Sequence, residues 1–299
     1  MGLLPMDLEL LPPSDGRIFK LLMTPPGAKP GLIDLISGVA GLSVTDLDPL
    51  ANGPSDEDAD QETERLQFSC RLDDGSRIGL GMRAVHIQED PDERHLNLKG
   101  KSVCCLADLH SSRSSGDTRR YDQSARTYQI TFCSYTVFPG SKEYLHSFSL
   151  RHDATGEPLC DALRLVFVEL SKLDALLNKP VNELAAWEKW LLFLRYAADP
   201  DRRGKVNEVI QSEKPLGSAG ELLVNLSRDE NERVRFLSKK KFLTDLQTDL
   251  ATAEDRGEMK GRIEIAKNLF KTNLTLFQIS DATGLSIEEV RELRMNEGR

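Results

Sequence analysis

The chain has 299 residues, 39% hydrophobic and 29% charged, so it can bury a core and is not disordered throughout. Its 39 Lys and Arg against 48 Asp and Glu give a formal net charge of −9, which excludes a general polyanion binder. No apolar run long enough to cross a membrane occurs, so we expect no membrane partner. Five scattered cysteines, an odd number, favour a reducing compartment, and we expect a cytoplasmic protein.

Two helices are predicted near the start of the chain. Apolar residues in 18–22 have helical spacing, and Ser14 or Asp15 can cap that helix. A second helical pattern covers 32–39, and the acidic stretch 51–64 has no apolar period, which predicts a loop.

The clearest local signal is a β-hairpin. Apolar and polar residues alternate over 66–72 and again over 78–82, as in strands with one buried face. Between them, Asp73-Asp74-Gly75-Ser76 has the Asp-Gly pair that is typical of a tight turn.

The rest of the chain alternates helices and strands before it becomes wholly helical. The predicted elements are a helix over 92–110, strands over 127–138, 144–151 and 163–170, helices from 181 onward, and one long helix over 231–259.

The last 45 or so residues have the length and layout of a helix-turn-helix. Helices over 259–271, 276–282 and 286–294 are predicted, with Thr283-Gly284 as the turn and a capping box that begins at Ser286. Residues 251–299 hold eight Lys and Arg against nine Asp and Glu, whereas a DNA-reading unit is usually more basic. Both DNA reading and homo-oligomer formation through this helical C-terminal region remain open.

Five blocks of the sequence carry a resemblance to a known family. They are Asp15 to Leu22 with its Phe19-Lys20, the hairpin around Asp73-Asp74-Gly75, Tyr144 to Leu173 with its Glu169-Leu170-Ser171-Lys172-Leu173, Ala186 to Leu194, and Gly261 to Leu293. In this order and spacing, the chain resembles the PD-(D/E)XK nuclease family of transposases, which includes the recombination-promoting nucleases.

The resemblance implies an α/β fold: a restriction-endonuclease-like core, with a small mixed sheet flanked by helices, followed by an α-helical C-terminal region. We place the core at 1–176, a helical region at 177–254 and the helix-turn-helix-like tail at 255–299. It also implies a metal-dependent DNA endonuclease, in which an Asp on one hairpin strand and Glu-x-Gln or Glu-x-Lys on the next form the site. There, two carboxylates hold Mg²⁺, which activates a water molecule.

Counted from Gly75, the family's Asp position falls on Gln67, its Glu position on Gly81 and its Gln or Lys position on Arg83. A slip of two residues would move the Asp position to Ser69. None of these positions carries a carboxylate, and Arg83 would place a fixed positive charge beside the metal. We therefore predict that these catalytic positions are inactive, that no metal or other cofactor is held there, and that the protein is a pseudo-nuclease acting as a DNA-binding or assembly module.

Two alternatives remain open. Asp15, Asp73 and Asp74 could form a displaced acidic site, which would make the protein an active Mg²⁺-dependent DNA endonuclease. Against this, Asp15 also fits a helix cap, and the two hairpin acids also fit turn formers. A purely structural oligomer without nucleic acid is the other alternative.

Several basic residues are candidates for DNA contacts. Arg83 can donate to a phosphate or pair with a nearby acid. Lys20 belongs to the family-like opening. Lys239-Lys240-Lys241 lie on the predicted long helix, where acids at 229–232 offset them, and a solvated helix face is the other interpretation.

Overall fold

The structure, a computed structural model, describes residues 3–49, 68–84, 91–112 and 126–297. Packing divides the chain into two compact units, 1–237 and 238–299. The domain limits at 176 and 254 stay predictions, because a division by packing does not test which segments fold independently. The acidic loop predicted over 51–64 lies outside the described residues.

Six strands and ten α-helices are assigned in the described residues. The strands are β1 Leu47–Pro49, β2 Phe68–Leu72, β3 Arg77–Arg83, β4 Thr127–Cys133, β5 Leu145–Ser149 and β6 Leu163–Glu169. The helices are α1 Gly16–Met23, α2 Lys29–Ala40, α3 Pro91–Ser111, α4 Asp174–Leu177, α5 Ala186–Tyr196, α6 Arg203–Ser212, α7 Lys214–Arg228, α8 Glu230–Leu269, α9 Leu276–Thr283 and α10 Ile287–Glu297.

The strands form one mixed sheet in the order β1-β2-β3-β4-β6-β5. β1, β2 and β3 pair antiparallel, β3, β4 and β6 pair parallel, and β5 returns antiparallel to β6. The hairpin of β2 and β3 is confirmed, and Gly75 adopts a φ of 81° in its turn, a conformation that favours glycine. The predicted mixed sheet flanked by helices is likewise confirmed.

The two faces of the sheet differ in composition. On the apolar face, side chains such as Ile78, Leu80, Ile130, Phe132, Val166 and Val168 pack in one buried cluster with residues of α1, α2 and α5. On the polar face, which α3 covers, β2, β3 and β4 carry Ser69, Gly79, Gly81, Gln129 and Thr131.

Helices α2 and α5 approach closely beside the apolar face because two glycines line the contact. A Cβ atom added at Gly31 would lie 2.0 Å from the Trp190 ring, and one added at Gly38 would lie 2.0 Å from Trp187. Trp190 is fully buried, so this contact joins α2 and α5 to the core.

Two predicted element limits were wrong. β4 ends at Cys133 rather than at 138, because the backbone N–H groups of Val137 and Phe138 turn away to donate to the Glu169 carboxylate. The helices predicted over 231–259 and 259–271 are one 40-residue helix, α8, which Gly257 does not interrupt.

The unit 238–299 has its own small core. Ala266, Ile279, Leu285 and Val290 are buried together. The predicted turn is confirmed by Gly284, which has a φ of 67° after α9. The predicted capping box of α10 is confirmed as well, because Glu289 accepts from the Ser286 backbone N–H at 2.8 Å while the Ser286 hydroxyl accepts from the Glu289 N–H at 3.2 Å.

Candidate active site

The positions predicted to correspond to the family's Glu and Gln or Lys lie on β3, at the end remote from the hairpin turn. Gly81 is buried and Arg83 is half-buried. Gln67, at the family's Asp position, lies outside the described residues. Ser69, the position reached by a two-residue slip, is described: it is buried on β2 and pairs with Gly79.

The surroundings of Gly81 are polar but uncharged. Across the parallel ladder, Gly81 pairs with Thr131, and a Cβ atom at Gly81 would lie 3.7 Å from Nε2 of Gln129. Both neighbours are buried, with 2% and 3% exposure. The hydroxyl of Ser102, from α3, lies 3.4 Å from that of Thr131. The described surroundings of Gly81 therefore offer hydroxyl and amide groups.

One atom of this cluster lacks a partner. Among the described residues, Oε1 of Gln129 is buried without a hydrogen bond, while its Nε2 makes only long contacts, 3.4 Å to the Ile130 carbonyl and 3.5 Å to the Thr131 hydroxyl. Sequence reasoning missed Gln129 and Thr131. Polar residues alternate with Tyr128, Ile130 and Phe132 along β4, which indicates a shared polar face but not which residues of β3 lie beside it.

Arg83 occupies a row of residues that crosses three strands. It pairs with Cys133, which pairs in turn with Glu169. Burial raises the pKa of the Cys133 thiol well above its ordinary value, the Glu169 charge raises it further, and the Arg83 charge opposes both. A positive and a negative side chain thus flank a neutral thiol on the polar face.

Glu169 is fully buried and is held by several donors. Its carboxylate accepts from the N–H groups of Val137 and Phe138, the latter at 3.0 Å, from Nε2 of His146 at 2.7 Å, and from the Lys172 ammonium. Lys172 also donates to the carbonyls of Phe138 and Ser141, each at 2.8 Å. The contacts of Glu169 are those of a carboxylate that fixes the 134–143 loop to the sheet.

The candidate acids of a displaced site have other contacts. Asp15 is buried and accepts from the N–H groups of Arg17 and Ile18, at 2.9 and 3.3 Å, as the N-cap of α1. Asp73 accepts from the Thr45 hydroxyl. Asp74 accepts from the Ser76 N–H at 2.8 Å, within the turn.

The hairpin acids also lie far from Gly81. Gly81 lies six positions beyond Gly75 of the turn, mostly along β3, and six residues of extended chain span about 20 Å. In the part of the chain that the structure describes, no three His, Cys, Asp or Glu side chains come together as possible metal ligands. Gly81 supplies no side-chain ligand and Arg83 repels a cation, so the described residues of the predicted family site do not fit Mg²⁺.

The candidate basic residues are distributed over both units. Lys20 is half-buried on α1, and Lys239, Lys240 and Lys241 are exposed on α8. The nearby Arg233 is engaged within the first unit, where it pairs with Glu9 at 3.2 Å.

Comparisons with known proteins agree with this architecture. The model of the PD-(D/E)XK nuclease family transposases matches residues 17–253. Searches of curated proteins and of solved structures found no significant match. No helix within the described ranges is long and apolar enough to span a bilayer. Because the family match covers more than half of the chain, and the six-stranded mixed sheet agrees with it, this protein belongs to the PD-(D/E)XK nuclease family transposases.

Proposed function

We propose that this chain is a catalytically degenerate member of its family: a cytoplasmic pseudo-nuclease that acts as a DNA-binding or assembly module. One observation carries the proposal. The β3 positions that a count from Gly75 aligns with the family's Glu and its Gln or Lys hold Gly81 and Arg83.

Hydrolysis of a phosphodiester by this family's chemistry needs Mg²⁺ on two carboxylates, so that the metal can activate water and balance the developing charge. Gly81 has no side chain, and the neighbouring Gln129 and Thr131 provide only neutral oxygens. Arg83 adds a permanent positive charge where the metal's own charge would act. These groups support the proposal that the chain keeps the family fold but does not catalyse phosphodiester hydrolysis.

A DNA-binding role is supported by the same substitution. An arginine can contact a phosphate directly through charge-assisted hydrogen bonds. Lys20 and Lys239 to Lys241 are the other candidate contacts. Because the net charge of the chain is −9, any such binding should be weak and should fall steeply as salt rises.

The decisive experiment is nicking of supercoiled plasmid in Mg²⁺ and in Mn²⁺. The wild-type chain should leave the plasmid intact. A Gln67→Asp, Gly81→Glu, Arg83→Gln variant, which restores all three family residues, should nick it. The matched control is Gly81→Glu, Arg83→Gln alone, which still lacks the Asp and should stay inactive.

Cleavage by the wild-type chain that EDTA abolishes would overturn the proposal and would direct attention to Asp15, Asp73 and Asp74. The DNA-binding role has a separate measurement, fluorescence anisotropy of a labelled duplex in EDTA at low salt. Arg83→Gln should weaken that binding. Absence of any binding would leave assembly as the function.

A further inference from the structure

The middle of α8, residues 238–258, is a helix with an uncovered surface. None of these residues is buried, and all are exposed except Leu243, Leu246 and Gln247, which are half-buried. At 1.5 Å per residue, the segment is about 30 Å long. Most helical stability in proteins comes from packing of one face, so a helix of this length with no buried residue is marginal alone in water.

An apolar stripe follows one side of this segment. Leu243, Leu246, Leu250 and Ala253 recur at steps of three, four and three residues, the spacing of a coiled-coil seam. Leu250 is 52% exposed, and Phe242, at the edge of the stripe, is 63% exposed. Large apolar side chains aligned in this way on one exposed helix indicate a surface that a partner covers.

Charge is unevenly distributed along the same segment. Three lysines, Lys239 to Lys241, precede the stripe. The acids Asp245, Asp249, Glu254, Asp255 and Glu258 follow, with Arg256 as the one basic residue among them. A second helix laid parallel would place lysines on lysines and acids on acids. An antiparallel helix of the same sequence would place each basic end against an acidic end.

We infer that the partner is a second copy of this chain, with the two α8 segments paired antiparallel across the stripe. When Leu246 faces Leu250 of the second copy, Leu243 faces Ala253, and each contact occurs twice by the two-fold symmetry. The inference rests on the assembly part of the proposed function and gives that assembly a surface and an orientation.

In this alignment, Lys240 lies beside Glu254 of the second copy, and this pair allows a charge-swap test. Sedimentation equilibrium of the full-length chain, without DNA, should show a dimer. Lys240→Glu or Glu254→Lys should each raise the dimer Kd about tenfold, because two attractions become two repulsions. The double variant should return to within about threefold of the wild type.

The matched control is Lys241→Glu, which makes the same charge change one residue further on, where the side chain points away from the seam. Its dimer Kd should stay within about twofold of the wild type. Leu250→Asp should abolish the dimer, while circular dichroism should show unchanged thermal unfolding of the core, because Leu250 is exposed.

Three results would overturn the inference. The first is a monomer at every concentration, and the second is no rescue in the double variant. The third is tighter association of Lys240→Glu, which parallel helices would give because the change relieves repulsion between basic residues. These readings are independent of the plasmid assay. A chain that cleaves DNA yet dimerises in this way would contradict only the proposed loss of catalysis.

Discussion

The two faces of the six-stranded sheet differ in chemistry although they share the same strands. The apolar face is filled by side chains such as Ile130, Phe132 and Val166, whereas the polar face carries Ser69, Gln129 and Thr131 beneath α3. Buried hydroxyl and amide groups cost stability unless they are hydrogen-bonded, and Oε1 of Gln129 has no partner among the described residues. The fold therefore depends chiefly on the apolar face. The proposed loss of catalysis concerns the polar face, whose residues could change without loss of that core.

The apolar face should give the largest effect on stability. Trp190→Ala removes a fully buried ring that contacts α2 and lies 5.9 Å from the Phe193 ring. We expect the free energy of unfolding to fall by about 3–5 kcal/mol, measured by urea titration. Trp187 lies three residues earlier on α5 and is only half-buried, so Trp187→Ala should lower the free energy of unfolding clearly less. Equal losses would mean that burial against the apolar face is not what holds α5.

The edge of the polar face should give the next largest effect, and one that depends on pH. Burial raises the pKa of Glu169, but the hydrogen bonds from Lys172, from the Phe138 and Val137 N–H groups and from His146 outweigh it, so the pKa lies below the ordinary glutamate value. The charge therefore stabilises the fold fully above the unfolded pKa, near 4.5, and this contribution is lost as pH falls below it.

Glu169→Gln should accordingly lower the free energy of unfolding at pH 7 by about 2–3 kcal/mol, since it removes charge-assisted hydrogen bonds. Urea titrations between pH 3 and 7 should show the difference between wild type and variant narrowing in acid. A difference that stays constant across this range would contradict the assignment of the charge to this network.

The same change, glycine to alanine, can be made beside each face of the sheet, at Gly31 and at Gly81. Gly31→Ala drives a methyl group to 2.0 Å from the buried Trp190 ring. We expect the free energy of unfolding to fall by about 2 kcal/mol, because the clash outweighs the higher helix propensity of alanine. Gly81→Ala meets Gln129 at 3.7 Å, an ordinary contact, so its stability should remain within about 1 kcal/mol of the wild type. Thermal unfolding of the two variants side by side measures the contrast, and a larger loss at Gly81 would show that its site is already filled.

Much of the fold could be predicted from sequence where the signal is local. The hairpin follows from alternation and an Asp-Gly turn, and the α10 capping box from Ser286 and Glu289 three residues apart. The end of β4 could not be predicted, because it depends on Glu169, more than thirty residues along the chain. Aromatic and β-branched residues at 134–138 favour a strand locally, and a tertiary hydrogen bond overrides that preference.

The candidate site also has one part that local sequence can predict and another that depends on tertiary contacts. The prediction of Gly81 and Arg83 needs only a count from the turn, because one strand fixes their spacing. The neighbours that define their chemistry, Gln129 and Thr131, depend on the parallel register of β3 against β4. His146 meets Glu169 only through the pairing of β5 with β6. Such cross-strand contacts carry no local sequence signature, since a register is set by the whole sheet.

The smallest expected effect concerns Asp15, and it separates a helix cap from a catalytic acid. As the N-cap of α1, Asp15 uses one carboxylate oxygen to accept from two backbone N–H groups. Asp15→Ala should lower the free energy of unfolding by about 1 kcal/mol, whereas Asp15→Asn should cost only a few tenths, because asparagine caps a helix nearly as well. Asparagine, however, cannot replace a carboxylate that holds Mg²⁺.

The same pair of variants should therefore be made in the Gln67→Asp, Gly81→Glu, Arg83→Gln background and assayed for plasmid nicking. If Asp15 only caps α1, Asp15→Asn retains the nicking rate and the stability of its parent. A large loss of nicking at unchanged stability would give Asp15 a role in the reaction. The polar face would then not be the only part of the chain on which the family's chemistry depends.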